Sequence, residues 1–215
     1  AIQGMLARVY WMKGDLKRAA EYAQKILDCK YFELVDKSEI EDLINGVLSP
    51  KETIWGLFSA NFYTNVRADL YLSGGSSSLF LKADHDDTYM ADKEGTDYRY
   101  EKWFKNYSAI EASGMRCIKV LDTYELNYAT RSDARVKGVN MLRLPELYYI
   151  ITEYYLSIDN QTEAVKYFDK VLVSRGLTGY ADRQGATLTL EKVIQERRKE
   201  LVCEGQYFFT QKRYN

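Results

Sequence analysis

Two separate stretches of this chain, residues 1–34 and 144–176, share one plan, and that plan is a pair of antiparallel helices. In the first, Ile2, Met5, Leu6, Val9, Tyr10 and Met12 recur at helical spacing and predict an apolar stripe. Gly14-Asp15 interrupts the run, as a tight turn between helices requires. Leu16, Ala19, Ala20, Ala23, Ile26 and Leu27 then predict the inward face of a second helix, with alanines small enough for close approach. Residues 144–176 repeat the scheme. Leu147, Ile150, Ile151, Tyr154 and Tyr155 form one stripe, and Asp159-Asn160 occupies the turn. Ala164, Tyr167, Phe168, Val171 and Leu172 form the other stripe, and Gly176 is placed to end it. Laying Tyr10 on Tyr155 brings Asp15 onto Asn160 and Ala19 onto Ala164.

Units of this kind resemble tetratricopeptide repeats. A solenoid stacks them consecutively, because each hides its apolar face on the next; here a long insertion separates them. Within it, residues 52–58 read as a short strand rich in β-branched and aromatic side chains, residues 73–78 as a flexible Gly/Ser loop, and residues 118–124 as another short strand. Residues 98–107 form an aromatic cluster laced with charge. Near the end, Thr189 is placed to cap a helix running from Leu190 to about Gly205. Val193, Ile194, Arg197, Leu201 and Glu204 lie along one side of it, and Glu196, Arg197, Glu200 and Glu204 are spaced for i,i+3 and i,i+4 pairing. The expected fold is mainly α, with tetratricopeptide-like helical hairpins and a loop-rich, partly β mid-chain insertion. One domain over 1–215 is expected: a hairpin at 1–34, an irregular ligand-facing region at 35–140, and a hairpin plus terminal helix at 141–215.

The run Glu196-Arg197-Arg198-Lys199-Glu200-Leu201-Val202-Cys203-Glu204-Gly205 resembles the E-R-R-x-E-L-x-x-E-G signature of the SusD/RagB family of outer-membrane nutrient-binding lipoproteins. Leu142-Arg143-Leu144-Pro145-Glu146-Leu147-Tyr148 is similar to that family's L-R-x-A-E-x-Y helix start, with Pro145 tolerated in a first helical turn. Val171-Leu172-Val173-Ser174-Arg175-Gly176 resembles its L-N-x-V-R-x-R-G ending, and residues 1–23 resemble an earlier repeat. Gln206 departs from the basic or aromatic residue commoner there, and Phe209-Thr210-Gln211 replaces the usual W-x-D-L-like stretch. The resemblance implies a lipid-anchored protein at the cell surface of the outer membrane. It implies capture of a glycan or oligosaccharide, or in some members a peptide, and delivery to a SusC-like TonB-dependent transporter. Contact with the membrane would run only through a lipid anchor that this chain does not contain. In the signature, Arg197, Glu200 and Glu204 are expected to be scaffold, making buried or half-buried ion pairs with the neighbouring hairpin.

Composition narrows the chemistry. Thirty Lys+Arg stand against 31 Asp+Glu, which leaves no basic field to draw in nucleic acid. No apolar run approaches the ~20 residues that span a bilayer. The chain opens inside a helical pattern at Ala1, which reads as a piece of a longer protein. Cys29, Cys117 and Cys203 are far apart and odd in number, so they read as buried or partly buried free thiols with no zinc spacing. The single histidine, His85, sits in Asp84-His85-Asp86-Asp87, which reads as a solvated acidic loop. Calcium is the lesser reading, because the spacing is not that of an EF-hand. Asp86, Asp87, Asp92, Glu94 and Asp97 could furnish the carboxylate pair of a glycosidase, but no two are marked out. Gly74-Gly75 lacks the lysine and hydroxyl of a phosphate loop. No catalytic residue, cofactor or metal is expected.

Nineteen tyrosines suit either a core edge or a polar ligand, since each ring carries a hydroxyl. A sugar offers an apolar C–H face and a hydroxyl rim, and so favours flat rings beside polar groups. Trp103, Tyr98, Tyr100 and Tyr107, with Arg99 and Asn106 among them, give that mixture; Tyr63 and Asn61 form a second patch, and Trp55 beside them reads as core. The rival readings are a tetratricopeptide-type scaffold for protein partners, a peptide-binding member of the same family, and a carbohydrate-active enzyme.

Overall fold

The computed structural model describes residues 1–40, 48–59, 88–89, 95–108, 113–117, 119 and 138–214. Helices α1 (Ile2–Met12) and α2 (Leu16–Asp28) make the first hairpin, and α4 (Leu144–Ser157) and α5 (Gln161–Ser174) the second. Between them lie β1 (Thr53–Phe58), α3 (Tyr98–Trp103), β2 (Phe104–Ser108), β3 (Ser113–Cys117) and β4 (Gly138–Arg143). After α5 come a short 3-10 turn (Tyr180–Asp182), α6 (Leu190–Glu200) and α7 (Tyr207–Tyr214). The mainly helical architecture with a small β component is the one expected. Among these residues no helix is long and apolar enough to cross a membrane.

The two hairpins agree down to their backbone bonds. Asp15 N–H donates to the Tyr10 carbonyl at 3.0 Å, and Asn160 N–H to the Tyr155 carbonyl at 2.9 Å. Ala19 N–H and Ala164 N–H each close the following turn at 3.0 Å, onto Asp15 and Asn160. Both cap residues also accept from the amide three residues on, Asp15 from Arg18 and Asn160 from Glu163, each at 3.1 Å. Gly14 (φ 79°) and Asp159 (φ 56°) supply the left-handed residue that reverses the chain.

In space α2 lies directly against α4, so the hairpins stack as repeats although an insertion parts them in sequence. Ala7, Trp11, Ala19, Ala23, Leu147, Ile150 and Ile151 share one core with Ile54 and Leu142. A second core joins Tyr149, Ala164, Phe168, Val171 and Leu172 to Leu177, Leu188 and Val193. The predicted stripe of α1 is rotated from the face that packs. Ile2 and Val9 are 71% and 50% exposed, while Gly4, Ala7 and Trp11 are buried. Close approach sets that choice: a Cβ on Gly4 would stand 2.6 Å from Leu142 Cδ2.

β1 pairs antiparallel with β4, from Thr53↔Arg143 to Phe58↔Gly138, with bulges near Trp55. This ribbon delivers β4 straight into α4, where Pro145 takes the first turn as expected. β2 and β3 form a second antiparallel pair, Phe104↔Cys117 to Ser108↔Ser113. Thr189 caps α6 through the Lys192 amide, but the helix stops at Glu200, short of Gly205. Cys203 (φ 61°) and Gly205 (φ 71°) turn the chain there, and α7 follows. The readings at residues 73–78, at His85 with Asp84, Asp86 and Asp87, at Asp92 and Glu94, and at 118 and 120–124 fall outside the described residues.

Candidate ligand site and its charged support

The interior between the second hairpin and the insertion is ionic. Glu200, fully buried at the end of α6, accepts from three guanidiniums: Arg143 Nη1 at 2.9 Å, Arg175 Nη2 and Nε at 2.9 and 3.0 Å, and Arg99 Nη1 at 3.3 Å. Glu52, just ahead of β1, accepts from Arg143 at 2.7 Å and from Arg175 at 2.8 Å, and takes the Val35 amide at 2.8 Å. Arg99 is also held by Asp97 at 2.8 Å and Glu196 at 2.7 Å; Lys199 bridges the same two carboxylates. Glu204 receives Arg143 at 2.7 Å and the Lys119 ammonium. Among the described residues, five cations thus meet five carboxylates, and their charges balance.

That balance decides the protonation states. Burial pushes the Glu200 carboxyl up, but the guanidiniums of Arg175, Arg143 and Arg99 outweigh it and hold the group far below the usual carboxylate range. A second cluster ties the C-terminal helices to the first hairpin. Glu146 accepts from Arg8 at 2.8 and 2.5 Å and from Arg197 at 2.7 Å; against its own burial these two cations hold it down at about 2. The guanidiniums of Arg197 and Arg213 lie 4.3 and 5.0 Å from the Trp11 ring, whose N–H donates to Glu153 at 2.5 Å. Arg197, Glu200 and Glu204 therefore make buried ion pairs with the second hairpin and β4, as expected of scaffold. The i,i+3 and i,i+4 spacing of Glu196, Arg197, Glu200 and Glu204 is not what pairs them: Glu196 does meet Lys199, outside that set, but Glu196, Arg197 and Glu200 take partners far off in sequence.

The predicted ligand residues divide on this support. Asp97 caps α3 through the Arg99 amide at 3.0 Å, and the helix turns Arg99 and Trp103, four residues apart, inward. Both are 0% exposed, so neither presents a surface to a sugar. Arg99 belongs to the ionic cluster. Trp103 donates to the Ile40 carbonyl at 3.3 Å and carries the Lys119 ammonium 3.9 Å from its ring centroid. Tyr98 and Tyr100 on the same helix are half-buried. Tyr98 lies under Lys37, whose ammonium is 4.7 Å from its ring, and against Gly176. A Cβ on Gly176 would stand 2.6 Å from that ring, and its φ of 88° asks for glycine as well. Tyr100 packs with Tyr89 and Phe104, both at 6.0 Å. Asn106 and Tyr107 lie on β2, and Trp55 on β1 packs partly buried against the main core. Asn61 and Tyr63 lie outside the described residues.

Sequence reading passed over a further cleft. A cavity of about 370 Å³ opens between α2 and α4, lined by Lys17, Glu21, Gln24 and Lys25 with Tyr154 and Tyr155. Tyr155 stacks on Tyr167 at 5.6 Å, and Tyr167 donates its hydroxyl to Gln24 at 2.8 Å. Tyr154, Tyr155 and Tyr167 thus serve the seam between hairpins. Their polar neighbours on the outer face of α2 were the signal for it. Among the described residues no group of three or more His, Cys, Asp or Glu side chains is placed to hold a metal ion.

The sequence profile of the SusD family matches residues 104–215, just over half of the chain. The chain belongs to the SusD family. Solved structures of similar fold include a SusD-like carbohydrate binding protein from Bacteroides vulgatus, 19% identical over 99% of this chain and 44% of that one, with a TM-score of 0.72. A laminarin binding SusD-like protein is 18% identical over 97% of this chain and 52% of its own, with a TM-score of 0.68. Surface glycan-binding protein A from Bacteroides uniformis is 18% identical over 94% and 46%, with a TM-score of 0.62. The SusD chain described here spans about half the length of these structures. Among curated proteins none matches it.

Proposed function

We propose that this SusD-family protein is a non-catalytic glycan-capture protein of the outer-membrane surface, lipid-anchored in its full form, which hands oligosaccharides to a SusC-like TonB-dependent transporter. The observation that carries the reading is the α3 platform. Tyr98 and Tyr100 are half-buried rings on a helix whose underside is pinned through Arg99 into the ionic cluster. Rigid aromatic faces with polar neighbours suit the C–H face and hydroxyl rim of a sugar, and rigidity lowers the entropic cost of binding. Asn106 and Tyr107 follow on β2, and Asn61 and Tyr63 complete the candidate set from sequence. Arg99 and Trp103 act as positioning residues beneath. Relatives of the same fold described as carbohydrate, laminarin and glycan binders point the same way. Glu200 and Glu146 are read as scaffold and not as general acids. A general acid keeps its proton near neutral pH, whereas the cations around Glu200 and Glu146 hold both ionised.

A glycan-array screen followed by calorimetry on the best saccharide tests this. Tyr98→Ala and Tyr100→Ala should each weaken binding about tenfold or more with the fold retained, a loss of about 1.4 kcal/mol. Binding of peptides and no saccharide would overturn the glycan reading.

A further inference from the structure

Two of the three cysteines meet. Cys117 ends β3 and is buried, whereas Cys203 sits in the turn after α6 and is exposed. Their thiols lie against each other, and no disulfide joins them in this structure. Independent ties fix this approach. Lys119, two residues beyond Cys117, donates to the Glu200 carbonyl at 2.8 Å and pairs with Glu204, the residue after Cys203. Cys203 itself holds φ at 61°, the left-handed conformation that turns the chain after α6. Cys29 is engaged elsewhere, its thiol donating to the Ile26 carbonyl at 2.9 Å at the end of α2.

We infer that Cys117 and Cys203 form a disulfide, a covalent staple between the β2–β3 pair and the turn that carries Glu204 into the ionic cluster. The oxidant is a small-molecule or protein disulfide. The Cys203 thiolate attacks one of its sulfurs, forming a mixed disulfide and displacing the first thiol. Cys117 sulfur then attacks Cys203 Sγ and displaces the second. One disulfide is exchanged for another, and the two hydrogens of the cysteines end on the two thiols released. Burial, with the Cys203 contact adding to it, pushes the Cys117 thiol up, which makes exposed Cys203 the first to react. Only the place where the oxidant is met rests on the export proposed above, since exported chains pass an oxidising compartment. The chemistry stands or falls on purified protein, apart from any glycan.

The test is incubation of the purified chain with oxidised glutathione, followed by tryptic digestion without reductant. Residues 117–119 should emerge joined to residues 200–212, with the intact protein lighter by two hydrogens. The thermal midpoint should rise by roughly 5–15 °C over the reduced protein. Cys29→Ser should leave the link and the shift unchanged, and Cys203→Ser should abolish both. Three free thiols after oxidation, a link through Cys29, or a glutathione adduct that persists on Cys203 would overturn the assignment. Should Cys203→Ser fail to fold, the map of the unaltered chain and of Cys29→Ser decides alone.

Discussion

The hairpin frame and the ionic cluster lie side by side, yet they are held by different physics. In the frame, buried apolar side chains such as Ile150, Ile151, Ala164 and Phe168 meet neighbours on the adjacent helix. Each contact is small and separable, so losses are graded. In the cluster, Glu200 serves Arg99, Arg143 and Arg175 at once, and each arginine serves a second carboxylate. Taking these charges out of water is costly, and only complete pairing offsets it. The frame can tolerate a missing methyl; the cluster cannot tolerate a missing charge.

The sharpest test of that contrast is Glu200→Gln. Volume is nearly conserved, but three guanidiniums lose a shared anion, and the expected loss is about 3–5 kcal/mol in urea unfolding. Ile150→Val, a buried deletion in the frame, should cost about 0.5–1.5 kcal/mol. Similar values for the two would erase the distinction.

Acid should separate the regions next. Glu146 has its carboxyl held at about 2 against an ordinary 4.5, so the unfolded chain takes up this proton first. Its stabilisation is full above about pH 5 and is lost as the pH falls from about 4.5 towards 2, a change of about 3 kcal/mol. The apolar contacts of Ile150 and Phe168 carry no proton and should not respond. A thermal midpoint flat from pH 5 to pH 3 would contradict the ion-paired picture of Glu146.

The same difference explains how much was legible in the sequence. Helical periodicity and turn chemistry are local, so both hairpins, their turns at Gly14-Asp15 and Asp159-Asn160, the Thr189 cap and the β1 strand could be read directly. The rotated face of α1 was not, because Gly4 and Ala7 contribute little hydrophobicity while permitting the closest approach. The early end of α6 was not either, since the turn at Cys203 occurs before any glycine. Arg143, Arg175 and Glu52 are ordinary charges in sequence; only the fold brings them together. The candidate ligand residues within 98–107 are proposed from composition alone. Which side chains face inward depends on a six-residue helix anchored by Arg99, and that anchor is long-range.

The smallest test lies inside the frame, at the two turns that match so closely. Gly14 and Asp159 hold the same place in the two hairpins with φ of 79° and 56°. A side chain in this region crowds the backbone, so Gly14→Ala should cost about 1 kcal/mol. Asp159 already bears that crowding, eased because aspartate tolerates the left-handed region better than most residues. Asp159→Gly removes the strain but frees the unfolded chain, and the two effects nearly cancel. The net change should be a gain of no more than about 0.5 kcal/mol, read as a slight rise in the urea midpoint. A loss near 1 kcal/mol on Asp159→Gly would mean that its side chain supports the turn. The second hairpin would then reverse its chain by other means than the first, whatever their shared backbone bonds.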